Sequence, residues 1–305
     1  MAKLTILIGL PASGKSTYAK QLSKENNAVI HSSDELRIEL FGSVSTFDKN
    51  DELFKELHKR VINDLKNGCN VIYDATNLNW KKRRNFLSKV PINVERQAIV
   101  VATSVGSCLV RDDKRKRHVG SKRILGMWRN FNFPLEQEGF DEISIHYTED
   151  IDFSRNFNNY YQACNQFEQD NKNHLYKLGK HMLTSTTSYI GTEENPNHLL
   201  AYVLFFHDIG KLWTKSFKNK RGIVGTEAHY YSHQNVSAYQ TMFLLAEIDE
   251  RGNSINLIHI LQLIQWHMQP YFIGNEKNNK KWLDFFGEMM YNEIMVVNKY
   301  DILGH

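Results

Sequence analysis

Eight residues constrain the fold of this chain more than any others: Gly9-Leu-Pro-Ala-Ser13-Gly14-Lys15-Ser16, which fits the pattern G-x-x-x-x-G-K-[ST]. A short apolar run, Leu4-Thr-Ile-Leu-Ile8, precedes them, and a segment of helical character, Lys15–Glu25, follows. A glycine-rich turn between a buried strand and a helix wraps backbone N–H groups around phosphate oxygens, and the helix N-terminus adds positive potential. In this setting Gly9, Ser13, Gly14, Ser16 and Thr17 form the cradle. Lys15 reaches the β- and γ-phosphates of a nucleoside triphosphate, and Ser16 holds Mg²⁺. A turn of this kind calls for an α/β sheet around it.

The rest of the first half supplies that sheet. Ala28–His31, Asn70–Asp74, Arg96–Thr103 and Glu142–Tyr147 read as further strands with helical stretches between them, the alternation of a parallel α/β fold. The second half lacks β-rich runs. Phe157, Tyr160, Tyr161, Cys164 and Phe167 fall at helical spacing, as do the apolar residues of 199–206 and 255–266, so this half reads as all-α. A chain of 305 residues suits two domains. These are an α/β domain over 1–150 and an all-α domain over 151–305, meeting in the polar stretch 148–158.

Charge divides the same way. Residues 1–150 hold 24 Lys/Arg against 19 Asp/Glu, and residues 151–305 hold 14 against 15. A basic half suits a polyanionic partner. Nine of the 13 histidines lie in the second half, which suits metal. Cys69, Cys108 and Cys164 make neither a disulfide framework nor a C-x-x-C clip, as in a reducing cytoplasm. No apolar run approaches the ~18 residues of a membrane span. The first strand begins without a basic leader, so a cytoplasmic protein with no membrane partner is expected.

Three further segments of the first half carry candidate chemistry. Ser32-Ser-Asp34-Glu-Leu-Arg37 follows the second strand, at the sheet edge where open α/β folds place ligands. Asp34 there suits the acceptance of a proton from an attacking hydroxyl, and Arg37, one turn on, suits a bidentate grip on phosphate. Ser32, Ser33 and Asp34 equally suit a helix N-cap. Asp74-Ala-Thr76-Asn77 ends the third strand, either to position an acceptor or metal or as a plain turn. Arg111-Asp-Asp-Lys114-Arg115-Lys-Arg117 holds five basic residues in seven. On a helix these arginines suit a lid over the nucleotide, stabilising charge on the transferring group; a solvated charged face is the other reading. Lys81-Lys-Arg-Arg84 is read as such a face.

Together, Gly9–Ser16, Asp34-x-x-Arg37, Asp74-x-Thr76-Asn77-Leu-Asn79 with Arg83 and Arg84, and Arg111-x-x-x-Arg115-x-Arg117 resemble the kinase domain of bacteriophage-type 5′-OH polynucleotide kinases, over roughly residues 1–150. The resemblance implies that Asp34 is the general base, that Arg37 binds the 3′ phosphate of the acceptor, and that Arg115, with Arg111 as its lid neighbour, contacts the donor phosphates. The chain departs from the family at Ala75, an extra residue within the Asp-Thr-Asn motif, and at Ser33, which replaces the usual arginine. The role of Asp74 is the one most affected.

In the second half Phe206-His207-Asp208-Ile-Gly210-Lys211 ends an apolar helix, with Gly210 expected as its C-cap. His181 precedes it, and His233, His267 and Asp301 follow on separate helical segments. Imidazoles and carboxylates in this mixture suit a hydrolytic metal that activates water at neutral pH. The pattern His…His-Asp…His…His…Asp resembles the HD phosphohydrolase superfamily over roughly 160–305. The resemblance implies that His181, His207, Asp208 and Asp301 bind a first metal, and that His233 and His267 bind a second metal or the substrate phosphate. His174, His198, His229, His259 and His305 are read as core or surface histidines. His229, four residues before His233, shares its face if that stretch is helical.

The expectation is an enzyme that heals nucleic-acid ends, RNA or DNA. One half transfers phosphate from ATP, or another nucleoside triphosphate, with Mg²⁺ to a 5′-hydroxyl. The other removes a 2′- or 3′-phosphate with Mn, Ni, Co, Fe or Zn, leaving ends for a polynucleotide ligase. Two alternatives use the same residues: a small-molecule nucleoside kinase fused to an HD nucleotidase, and a kinase with a non-catalytic HD scaffold.

Overall fold

The structure is a computed structural model describing residues 1–43, 47–149, 153–172, 174–246 and 256–304. The chain divides into two compact units. One comprises Met1–Met127 with Pro134–Asp150, and the other Trp128–Phe133 with Ile151–His305.

The first unit is built on five strands: β1 (Lys3–Ile8), β2 (Ala28–Ser32), β3 (Asn70–Asp74), β4 (Glu95–Ala102) and β5 (Glu142–Tyr147). They pair in the order β2-β3-β1-β4-β5, every pair parallel. This is the parallel α/β sheet expected from the sequence, with strand bounds shifted by one residue at most. β1 is central, and its last five residues are all buried, as a strand covered on both faces requires. The helices between strands are α1 (Lys15–Asn26), α2 (Ser33–Phe41), α3 (Asn50–Lys66), α4 (Trp80–Leu87), α5 (Val105–Asp113) and α6 (Ser121–Arg129). In α3, Leu53, Leu57, Val61 and Leu65 are buried at four-residue intervals, a stripe that fixes which side faces inward. Leu7, Ala19, Leu22, Ala28, Ile72, Ile99 and Val101 form a core beneath α1. This packing holds the carboxyl ends of β1, β2 and β3 side by side, with Leu7 and Ser32 both in register with Asp74.

The second unit is mainly helical: α7 (Phe153–Gln166), α8 (Leu178–Thr192), α9 (His198–Phe206), α10 (Lys211–Thr214), α11 (His233–Leu244), α12 (Leu257–Trp266), α13 (Glu276–Phe286) and α14 (Glu288–Leu303). The all-α expectation needs one correction. Strands β6 (Ser216–Lys218) and β7 (Val224–His229) pair antiparallel as a hairpin. Its turn is made by Asn219 and by Gly222 at φ 81°, where the left-handed backbone favours glycine. The Asn219 side chain accepts from the backbone N–H groups of Arg221 and Ile223. Residues 128–133 also belong to this unit. Phe131 meets Tyr239 edge-on, the backbone N–H of Phe133 donates to Gln265, and Asn235 donates to the carbonyl of Arg129. A single boundary at 150 leaves out this exchange. Among the described residues, no helix is long and apolar enough to cross a membrane.

Candidate functional site

The loop after β1 has the shape its sequence calls for. Ala12 and Gly14 take left-handed backbone conformations, with φ 63° and 95°. A Cβ on Gly9 would lie 2.9 Å from both Ser13 Oγ and the Val101 carbonyl, so only glycine fits. Thr103 buttresses the loop from behind, its hydroxyl donating to the Ser13 carbonyl at 2.8 Å and paired with Thr148. Ser16 and Thr17 are exposed at the start of α1. Lys15 is buried, and its ammonium donates to the Leu10 carbonyl at 2.7 Å and to Ser13 Oγ at 3.3 Å. Burial lowers its pKa to about 8. Asp74 and Asp34 oppose that shift, and Arg115 adds to it. Lys15, Asp74, Asp34 and Arg115 are therefore electrostatic neighbours.

The two readings of Asp34 separate in the structure. Ser32 is the N-cap of α2, accepting from the backbone N–H of Glu35, so Asp34 does not cap the helix. Its carboxylate stands open to solvent, with Arg117 at 3.7 Å. Arg37 is buried and donates to Asn50 Oδ1 at 2.7 Å, at the start of α3. Asp74 is buried at the end of β3. Asn77, with φ 49°, ties the next turn back to β1 by donating to the Leu7 carbonyl.

Two expectations for the basic segments are corrected. Arg83 does not lie on a solvated face. It is buried, forms a two-pronged pair with Glu138 at 2.7 and 2.6 Å, and donates to the Asn77 carbonyl. Only a fully paired guanidinium is tolerated there. Likewise, Arg115 and Arg117 are not on a helix, because α5 ends at Asp113. Arg111, in the last turn of α5, donates to the hydroxyl and carbonyl of Thr148. The loop beyond is held by Asp112, a residue the sequence reading did not single out. Its buried carboxylate accepts from the backbone N–H groups of Val119 and Gly120 at 2.9 Å each. Buried amid so many basic neighbours, it carries no sequence signal except its place inside the charge run.

In the second unit six side chains converge from five helices. His181 lies on α8, His207 and Asp208 at the end of α9, His233 at the start of α11, His267 just after α12, and Asp301 on α14. All six are buried. The Nε2 atoms of His181 and His207 are 3.2 Å apart, and each is 3.2 Å from Asp301 Oδ1. Asp208 Oδ2 lies 3.2 Å from His181 Nε2, while its Oδ1 lies 3.1 Å from His233 Nε2 and 3.8 Å from His267 Nε2. Asp208 thus joins two groups of potential ligands: His181, His207, Asp208 and Asp301, and Asp208, His233 and His267.

The imidazoles are also oriented for this. Each Nδ1 faces a carbonyl: Gly304 for His181, Leu204 for His207, Tyr230 for His233 and Ile264 for His267. A proton on Nδ1 leaves the Nε2 lone pair directed at the centre, the second-shell pattern of histidine metal ligands. Burial disfavours charge on His207, yet Asp208 and Asp301 push its pKa up to about 10. Burial, with His207 and His233 nearby, lowers His267 to about 3. Burial likewise works against Asp208, but Lys211 and His207 hold it well below the usual carboxylate range. The donor set fits one or two divalent transition ions.

Around this centre the structure adds residues without an assigned role in the sequence reading. Lys211 is buried, 2.6 Å from Asp208 Oδ2, and donates to Gln169 at 2.9 Å. Its signal was the three-residue spacing from Asp208. His174 lies 3.1 Å from Lys211, and Tyr271 donates to Asp301. Gly210 is not a left-handed C-cap. Its φ is −63°, and a Cβ there would come within 2.2 Å of the His233 carbonyl, so glycine serves the close approach of α11. His229 ends β7 whereas His233 begins α11, so they share no helical face. His259 pairs with Glu293, and His198 is exposed; His305 lies outside the described residues.

Residues 4–134 match a family described as an AAA domain. The L-seryl-tRNA(Sec) kinase of Methanococcus maripaludis is 31% identical over 169 residues, covering 51% of this chain and 63% of that protein. Two solved structures of a Pnkp1/Rnl/Hen1 complex, the second described as an RNA repair complex, are 29% and 28% identical to this chain. They cover 39% and 41% of it and 40% and 42% of the matched chains, with TM-scores of 0.34 and 0.38. The chain therefore spans less than two thirds of the length of these relatives. The first unit sets a glycine-rich phosphate-binding loop after the central strand of a five-stranded parallel sheet, the arrangement of a P-loop domain.

Proposed function

We propose that this chain is a two-site enzyme that heals nucleic-acid ends, phosphorylating a 5′-hydroxyl and removing a 2′- or 3′-phosphate. The observation that carries the reading is the phosphate-binding loop with its buried Lys15 beside the strand ends that bear Asp74 and lead into Asp34, in a chain whose other unit gathers six buried metal-type ligands.

In the kinase site the loop amides, Lys15 and Ser16 would hold the triphosphate and its Mg²⁺. Asp34, open and not engaged in capping, is the base that takes the proton of the attacking hydroxyl. Arg37 supplies the grip on an acceptor phosphate, exchanging the neutral Asn50 oxygen for a charged one, a stronger partner. Arg111, Arg115 and Arg117 offset charge on the transferring group. The seryl-tRNA kinase relative supports a hydroxyl carried on RNA as acceptor.

In the second site His181, His207, Asp208 and Asp301 would hold one ion, and His233 and His267 a second ion or the departing phosphate. A divalent ion bound there supplies Lewis-acid polarisation of a phosphoryl oxygen and acidifies water. Lys211 holds the Asp208 carboxylate in place, and Tyr271 does the same for Asp301.

The test is an oligoribonucleotide with a 5′-hydroxyl and a 3′-phosphate, incubated with ATP, Mg²⁺ and Mn²⁺ or Ni²⁺, with both ends resolved. Both ends should be converted. Asp34→Ala should slow 5′ phosphorylation by about 10²–10⁴-fold and leave 3′ dephosphorylation intact. Phosphorylation of a free nucleoside in preference to the oligonucleotide, unaffected by Arg37→Ala, would refute the polynucleotide assignment.

A further inference from the structure

The hairpin β6–β7 is an excursion from the metal-type centre. It leaves just after Lys211, whose ammonium is 2.6 Å from Asp208, and returns just before His233, whose Nε2 is 3.1 Å from the same carboxylate. Its base is tied down on both sides. Tyr230 presents its carbonyl to His233 Nδ1 and its hydroxyl to the Gln169 carbonyl, and Gln169 in turn accepts from Lys211. The ribbon is short and irregular: Ser216 pairs with His229 and Lys218 with Val224, so β7 bulges against β6.

Its surface is basic, with exposed rings and aliphatic side chains. Lys218, Lys220 and Arg221 surround the turn. Lys220 lies over the Tyr231 ring at 5.5 Å, and Tyr231 stacks on His229 at 5.4 Å. Phe217, Ile223, Val224 and Tyr231 are exposed, which a free-standing hairpin would ordinarily avoid. A shallow groove of about 280 Å³ is lined by Asn219, Ile223, Val224, Thr226, Glu227 and His229. Nearby acidic groups are already matched: Glu227 pairs with Lys172, and Asp170 with Lys215. A cationic turn beside an exposed ring suits a single nucleic-acid strand, with phosphates on the cations and a base on the ring.

We infer that the hairpin β6–β7 is the platform for the 3′-terminal nucleotides of a single strand whose end lies at the Asp208 centre. Lys218, Lys220 and Arg221 contact the backbone phosphates, the exposed Phe217 ring offers a stacking surface, and Tyr231 holds Lys220 in place. The inference rests on the phosphatase reading above and names the substrate class of that site. It also means that the site grips the strand leading to the phosphate, and that mononucleotides are poor substrates.

The test compares a 5′,3′-bisphosphorylated oligoribonucleotide with p-nitrophenyl phosphate, using the full chain with Mn²⁺ or Ni²⁺. The triple variant Lys218→Ala, Lys220→Ala, Arg221→Ala should raise KM for the oligonucleotide about tenfold or more and leave p-nitrophenyl phosphate hydrolysis unchanged. The slope of log KM against log salt should fall by about 2, as loss of three single-strand phosphate contacts requires. Phe217→Ala should raise the same KM about tenfold, and Phe217→Tyr should restore it. An oligonucleotide KM unchanged in the triple variant would overturn the platform while the phosphatase stands, and would point to a protein or other partner for the hairpin. If the wild type hydrolyses neither substrate, the phosphatase reading fails by itself. Anisotropy of the same labelled oligonucleotide then decides: binding that the triple variant loses keeps the platform, and equal binding removes it.

Discussion

Lys15 has the most to gain from a ligand. Without a polyanion its ammonium is buried against the Leu10 carbonyl, and its pKa falls to about 8. Triphosphate oxygens favour the charged form and raise that pKa. The sign follows: near pH 8 about half of the free sites carry a neutral lysine, so binding draws in up to ~0.5 proton there and almost none at pH 6. ATP affinity should fall as pH rises above 8. Calorimetry of ATP binding in buffers of different ionisation enthalpy measures the uptake; a binding heat independent of buffer at pH 8 would show that Lys15 does not titrate. At this scale much of the candidate site was legible. Lys15 stood in a spaced motif, and His207-Asp208 in another, because phosphate and metal chemistry need fixed residue types at fixed offsets. The burial of Arg83 was not legible, since its partner Glu138 lies 55 residues away and nothing local distinguishes a paired arginine from a solvated one. Asn50, the partner of Arg37, lies 13 residues on at the start of another helix and was not legible for the same reason.

At the scale of elements, the loop 114–120 after α5 carries two of the basic residues of the proposed kinase site, Arg115 and Arg117. Its basic residues sit in a turn and not on a helix, so helical geometry does not fix Arg115 and Arg117. Asp112 does the fixing, drawing the Val119 and Gly120 N–H groups back onto α5. Charge-assisted bonds of this type contribute about 1.5–3 kcal/mol each. Asp112→Ala should free the loop, raise KM for ATP several-fold and lower kcat. Asp112→Asn, which keeps one acceptor oxygen, should recover part of both. Steady-state kinetics with ATP varied reads this directly, and unchanged kinetics in the alanine variant would show that the loop takes no part. Periodicity misjudged this segment because a run of Lys and Arg has high helix propensity, and nothing in the run shows that Asp112 is buried and accepts from residues 119 and 120. The hairpin was missed for a related reason. Ser216–Lys218 is too short and polar to stand out, although Asn219 and Gly222 were turn signals between two extended runs. The long strands and helices were legible because burial imposes its period on many residues at once, as in Leu53, Leu57, Val61 and Leu65.

At the scale of the whole molecule, each unit carries its own core and its own complete set of candidate reactive groups. Lys15, Asp34, Asp74 and Arg115 belong to one unit, and the six metal-type ligands to the other. The reactions proposed for them act on opposite ends of a strand, and neither product is the substrate of the other. The two activities should therefore be separable by single substitutions. Asp34→Ala should remove 5′ phosphorylation alone. Asp208→Asn should remove 3′ dephosphorylation alone, because it takes away the carboxylate shared by both ligand groups. An equimolar mixture of the two variants should then convert both ends of one oligonucleotide to ligatable form, as a polynucleotide ligase added afterwards would report. Loss of kinase activity in Asp208→Asn, with its thermal unfolding unchanged, would show instead that the metal-type centre supports the kinase, and that the second unit serves the first.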